Sequence, residues 1–145
     1  LIDIADFFKD VRKDALEKGE LLSEIQLPTL PTHTGTAFAK KGRVTVADLA
    51  VVNVAARVTL APDNTCQDVR ITLGAVAPVP LRARAAEAML EGKKPQEELL
   101  EKVAIQAAEE TKPISDVRGS AEYRRTLSRI LVERALKEAL AKART

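Results

Sequence analysis

The chain has 145 residues, 46% of them hydrophobic, 30% charged and only 3% aromatic, which suits a single domain whose core is built from Ala, Val, Leu and Ile. Its 23 basic and 21 acidic side chains are interleaved and leave a formal net charge of +2, so no strong field draws nucleic acid or an anionic membrane. The single cysteine, Cys66, excludes an internal disulfide, the single histidine, His33, shares no metal-ligand spacing with it, and the apolar runs are far too short to span a bilayer.

These features lead us to expect a reducing, cytoplasmic compartment, no resident metal and no membrane insertion. The first residue is Leu1 rather than Met, which points to a preceding segment in the parent protein. One domain is expected over residues 1–145, with a lead-in at about 1–18, a strand-rich part at 19–77 and a helical part at 78–145.

In chain order, IADFFKDVRKDAL (Ile4 to Leu16) reads as a short helix or irregular lead-in. The run Leu21 to Leu27, which ends in alternation and is stopped by Pro28 and Pro31, reads as a first strand leaving a turn at Gly19. After the loop TLPTHTG, Thr36 to Lys40 gives a second strand closed by Gly42. A third runs from about Asp48 to Leu60, and Pro62-Asp63-Asn64-Thr65 turns it into a fourth from about Cys66 to Val76. Val54, Ala56, Val58 and Leu60 alternate against Val69, Ile71 and Leu73, which gives an antiparallel hairpin one buried and one wet face.

At Pro78 the apolar period lengthens from two to about three and a half residues, so the second half is helical. Pro80 can open a helix that Gly92 closes, Pro95 another carrying Leu99, Leu100, Val103 and Ala107, and Ser120 can cap a third running towards Lys142. Strands followed by helices make an α+β domain: an antiparallel sheet of three to four strands covered on one face by three helices.

Side-chain chemistry is sparse. The six glycines stand singly, with neither a dinucleotide fingerprint nor a P-loop, so phosphates are expected to be held elsewhere. No serine or cysteine nucleophile has a histidine base other than His33, which sits in a proline-bounded loop, and Cys66 reads as a small buried hydrophobe; no catalytic residue is expected. The cluster Lys40, Lys41 and Arg43, with Asp48 beyond it, is either a solvated loop or a charged edge offered to a ligand. With three Phe, one Tyr and no Trp, stacking platforms for nucleic acid are too few. In Ser115 to Arg125, Gly119 permits a turn, Ser120 caps the following helix and Glu122 suits its positive end, while Arg118 and Tyr123 can dock a neighbouring domain.

The run SDVRGSAEYRRTL followed by ILVERAL resembles the end of the flavoprotein subunits of molybdenum hydroxylases, the CO dehydrogenase and xanthine dehydrogenase family. DFF (Asp6 to Phe8), GELLSEIQLP (Gly19 to Pro28), GTAFAKKGR (Gly35 to Arg43), DLAVVNVAARVTL (Asp48 to Leu60) and ITLGAVAPVPLRARAAEAML (Ile71 to Leu90) follow in that family's order, so the likeness covers essentially the whole chain. It implies the last third of a subunit whose two preceding subdomains hold the FAD phosphates, with this domain closing one side of the ring. Electrons would arrive from [2Fe-2S] clusters reduced at the molybdopterin cofactor, both carried by partner subunits, and leave to an acceptor.

By the same resemblance, Leu22 corresponds to a leucine packed near the flavin, and Lys40 with Arg43 to basic residues approaching the ring edge. The sequence departs from the family's usual pattern at Val44, where a second arginine is common, and in a slightly longer loop to Asp48. The alternative implied role is a non-catalytic assembly module of the same complex.

Overall fold

A computed structural model describes residues 1–44 and 48–145, so the middle of the Val44–Asp48 loop lies outside the described residues. The lead-in is a one-turn helix α1 (Ile4–Phe7), capped by Asp3, whose carboxylate accepts the Ala5 N–H at 2.8 Å, followed by a small hairpin of β1 (Phe8–Asp10) and β2 (Lys13–Asp14).

The strand expected at Leu21 to Leu27 does not form. Residues 15–31 carry no helix or strand, and the hydrogen bonds found within them are local, Glu20 N–H to the Glu17 carbonyl and Gln26 to Glu24 among them. Alternation makes a strand only where a neighbouring edge accepts the ladder. Here Leu21, Ile25 and Leu27 stay exposed and, among the described residues, no partner strand is paired with them.

The main sheet is antiparallel, in the order β3 (Thr34–Lys41), β4 (Val52–Leu60), β5 (Cys66–Gly74) and β6 (Leu81–Arg82). Val54, Ala56, Val58, Val69, Ile71 and Leu73 point to one face and are buried, as the alternation predicts. Each large side chain so buried contributes about 1.5–3 kcal/mol. The β4–β5 turn lies at Pro62 to Thr65: Asn64 takes a left-handed φ of 64° and the Asp63 carboxylate accepts the Thr65 N–H at 3.0 Å, which suits both residue types.

Strand β6 was not anticipated. Leu81 and Arg82 pair with Leu73 and Thr72, so Pro80 opens a strand and the helix starts later, as α2 (Arg84–Leu90). Its N-terminus has no cap of its own; the Glu110 carboxylate accepts the Ala86 N–H at 2.9 Å instead. Then come α3 (Glu97–Glu109) and α4 (Ala121–Ala143), the latter capped by Ser120, whose hydroxyl accepts the Tyr123 N–H at 3.1 Å.

Helix α4 lies on β3 and β4, α2 lies on β5, and α3 packs across α2 and α4. The buried positions of α4 run Arg124, Ser128, Leu131, Val132, Ala135, Leu136, Ala139, Leu140 and Ala143, a single stripe at three- and four-residue spacing. Cys66 is fully buried at the start of β5, and burial pushes its thiol up to about 11, so it packs as a hydrophobe. Among the described residues no helix is long and apolar enough to cross a membrane.

Candidate functional site

Because the helices cover one face of the sheet, the other is left open, and the register fixes what it presents. Successive rows across the strands read Thr36, Arg57 and Arg70; Phe38, Ala55 and Thr72; Lys40, Asn53 and Gly74. Phe38 is 63% exposed midway along the edge strand β3, beside a shallow depression lined in part by Thr36, Ala55, Arg57, Arg70 and Lys142. A large aromatic ring left bare on a sheet face is what an adjoining surface would cover.

The charges are organised. Arg57 donates to Asp68, and Arg70 approaches the other oxygen of the same carboxylate at 3.5 Å. Burial raises the Asp68 pKa, but the hydrogen bond and charge of Arg57, with the charge of Arg70, outweigh it and leave the carboxyl below its usual range. Two arginines directly opposite on adjacent strands would otherwise repel.

At the far end of β3 the Lys40 ammonium donates to the Asp48 carbonyl at 2.6 Å, and the Asp48 carboxylate accepts the N–H groups of Arg43 and of Val44, the latter at 2.8 Å. The Val44 N–H, and then, against burial, the Arg43 N–H and the Lys40 charge hold the Asp48 carboxyl below its ordinary value. One carboxylate thus orders the start of the connection and leaves the Arg43 side chain exposed. Lys40, at one edge of the open face, and the Arg43 backbone thus meet at the same Asp48. Leu22 is not joined to them: it is 55% exposed, in the stretch without regular structure.

The Ser115 to Arg125 segment forms a tight turn in which Asp116 and Gly119 exchange backbone hydrogen bonds at 3.1 Å. The Arg118 side chain turns back onto Asp116 at 2.8 Å, Tyr123 is partly exposed beside Gly119, and Val117 at the tip is 91% exposed. The residue that the sequence reading missed is Arg124, which is buried. Its signal was present, since Arg124 stands four residues before Ser128 and seven before Leu131 on the buried stripe of α4.

Among the described residues this arrangement pairs no nucleophile with a base. It offers an aromatic, hydroxyl-lined face with a cationic rim, which can pack against a flat group and attract negative charge at its edge. The backbone provides no glycine-rich cradle for phosphates among the described residues.

The sequence profile described as CO dehydrogenase flavoprotein C-terminal domain matches residues 37–139. The glyceraldehyde dehydrogenase medium chain of Sulfolobus acidocaldarius is 34% identical over 133 residues, covering 92% of this chain and 46% of the relative. The carbon monoxide dehydrogenase medium chain of Afipia carboxidovorans is 33% identical over 144 residues, covering 99% and 49%. Among solved structures, a carbon monoxide dehydrogenase from Hydrogenophaga pseudoflava that lacks the Mo-pyranopterin moiety of its cofactor superposes with a TM-score of 0.89 at 35% identity, over 94% of this chain and 47% of that one. The chain therefore spans about half the length of the relatives it matches.

Proposed function

Given that the chain belongs to the CO dehydrogenase flavoprotein C-terminal domain family, we propose that it closes one side of the flavin site of a molybdenum hydroxylase, in a medium subunit whose preceding domains hold the FAD phosphates. The observation that carries this reading is the open sheet face, with bare Phe38 and the Lys40–Arg43 rim. The flavin, when bound, supplies the electron-carrying chemistry between iron–sulfur clusters and an acceptor.

The residues present fit a ring edge and not a pyrophosphate. Lys40 and Arg43 supply fixed positive charge where a reduced ring gathers negative charge, and Asp48 holds the first turn of their connection in place. The sheet face shields the site from water. Leu22 belongs to this proposal as a residue that becomes covered only when the upstream half is present. The chain alone does not catalyse; its partners are the upstream FAD-binding domains, an iron–sulfur subunit and a molybdenum subunit, in the cytoplasm, where a free cysteine stays reduced.

In the full medium subunit, Lys40→Ala is expected to weaken FAD binding on the order of tenfold, the ~1.4 kcal/mol of one charge-assisted contact. Fluorescence titration of the FAD-depleted subunit measures this, and an unchanged affinity for both Lys40→Ala and Arg43→Ala would sink the flavin-edge reading.

A second reading, a docking role for the Arg118 and Tyr123 region, is favoured by the exposure of Val117 and Tyr123 at the head of α4. On that reading the double replacement Arg118→Ala and Tyr123→Ala lowers recovery of the assembled complex several-fold on size-exclusion chromatography. Recovery at the native yield counts against it.

A further inference from the structure

The side chain of Arg124 performs work that the flavin-wall reading does not use. It lies in the first turn of α4, 3% exposed, and its guanidinium reaches three connections at once. One terminal nitrogen donates to the carbonyls of Val51 and Ala75, both at 2.9 Å, and the other donates to the Asp116 carboxylate at 2.6 Å.

Each of those acceptors marks the end of a connection. Val51 is where the β3–β4 connection closes, its N–H donating to the Lys41 carbonyl at 2.8 Å. Ala75 follows the end of β5 with a left-handed φ of 65°, a backbone setting that non-glycine residues adopt only when their surroundings hold it. Asp116 is fixed in turn: it accepts the Arg118 N–H at 2.8 Å and the Arg118 side chain at 3.0 Å. The Arg118 N–H, and then, against burial, the Arg124 and Arg118 side chains hold its carboxyl at about 2, so it remains ionised at any ordinary pH.

The guanidinium is suited to this by its planar fork, which can serve two carbonyls and a carboxylate in fixed directions; an ammonium has no such geometry. Its Nε is buried without a partner, a cost tolerated because the two terminal nitrogens make the connections. The helix stripe around it is otherwise Ser, Ala, Leu and Val, so a hydrophobe would satisfy packing and not this geometry.

We propose that Arg124, aimed by Asp116, is a positioning residue for the end of β3: by gripping Val51, whose N–H holds the Lys41 carbonyl, it sets the place of the neighbouring Lys40 ammonium at the edge of the open face. This rests on the flavin-edge reading above, because Lys40 is part of that edge. Through Ala75 the same clamp fixes the start of the β5–β6 connection, so the two connections at this end of the sheet share one anchor.

The test uses the holoenzyme with Asp116→Asn and Arg124→Lys, set beside Lys40→Ala and beside Val132→Ala, a core replacement on the buried stripe away from the clamp. Readouts are thermal stability, the visible circular dichroism of bound FAD, and the KM for an artificial electron acceptor against kcat. The expected result is that Asp116→Asn and Arg124→Lys change the flavin dichroism in the same sense as Lys40→Ala and raise the acceptor KM at least threefold, whereas Val132→Ala lowers stability and leaves both signals unaltered. If Lys40→Ala moves the flavin signals while the two clamp variants behave like Val132→Ala, the clamp is merely structural and the inference is overturned. If Lys40→Ala is silent as well, the flavin-edge reading fails and takes the inference with it.

Discussion

Gly35→Ala is expected to destabilise the domain by about 3 kcal/mol, at the upper end for an overpacked site, and to lower its melting temperature by roughly 10 °C. A Cβ on Gly35 would stand 1.9 Å from the Ala139 carbonyl oxygen and 2.6 Å from the Ala143 nitrogen. Both are backbone atoms of α4, so no rotamer change relieves the clash. A retreat of β3 would in turn break its pairing with β4, where Gly35 stands opposite Val58 one pair from the end of the ladder. Either α4 lifts from β3 and β4 along the stripe of Ala135, Ala139 and Ala143, or the ladder breaks. Because the obstruction is backbone, Ala139→Gly in the same chain should not restore stability. Thermal and chemical unfolding of the chain measure the effect, and a loss under about 1 kcal/mol would show that the helix accommodates the methyl group.

That contact also shows where sequence reading reaches its limit. The β4–β5 hairpin was legible because alternation, turn chemistry and burial all point the same way, from Val54 to Leu73. Gly35 gave no local sign, since its role depends on a helix more than a hundred residues away. Leu21 to Leu27 looked like a strand for the opposite reason: its local pattern is good, and only the lack of a neighbouring edge prevents pairing. Strand β6 was hidden because two residues are too few to show a period.

The candidate site was partly legible in the same sense. Lys40 and Arg43 stood out as a charged cluster, and the Lys40 ammonium at the end of β3 and the Arg43 N–H both meet Asp48. Phe38, Arg57 and Arg70 were passed over because the wet face of a strand is normally solvent, and only the absence of a covering layer among the described residues makes them a surface. Arg124 and Glu87 were missed because a charged residue within an apolar stripe is usually taken as its border. Both are buried, and both satisfy backbone groups that strands and turns leave open.

Glu87 makes the second large effect predictable. Strand β6 ends at Arg82, and the Ala83 N–H still donates to the Ile71 carbonyl at 2.9 Å, but no further strand residue is there to accept from the Ile71 N–H. The Glu87 carboxylate takes that place at 2.7 Å and holds Arg82 in a two-bond fork at 2.7 and 2.8 Å. One side chain on α2 thus completes the ladder of β5 and pins the short edge strand. Glu87→Ala leaves a buried N–H without an acceptor and frees a half-buried arginine, an expected loss of about 2–4 kcal/mol once solvent screening of Arg82 is allowed for. Glu87→Gln keeps one oxygen for Ile71 and the Arg82 Nε but loses the charge and the second arm of the fork, where its amide NH2 would face an Arg82 donor, so it should cost less than the Ala change, about 1–2 kcal/mol. Denaturant midpoints give the ranking, and amide exchange at Ile71 locates it: protection there should fall in the Ala variant well before it falls at Val58 in the middle of the sheet. Equal stability of the Ala and Gln variants would mean that water or a shifted strand supplies the missing acceptor, and that the carboxylate is not what closes the ladder.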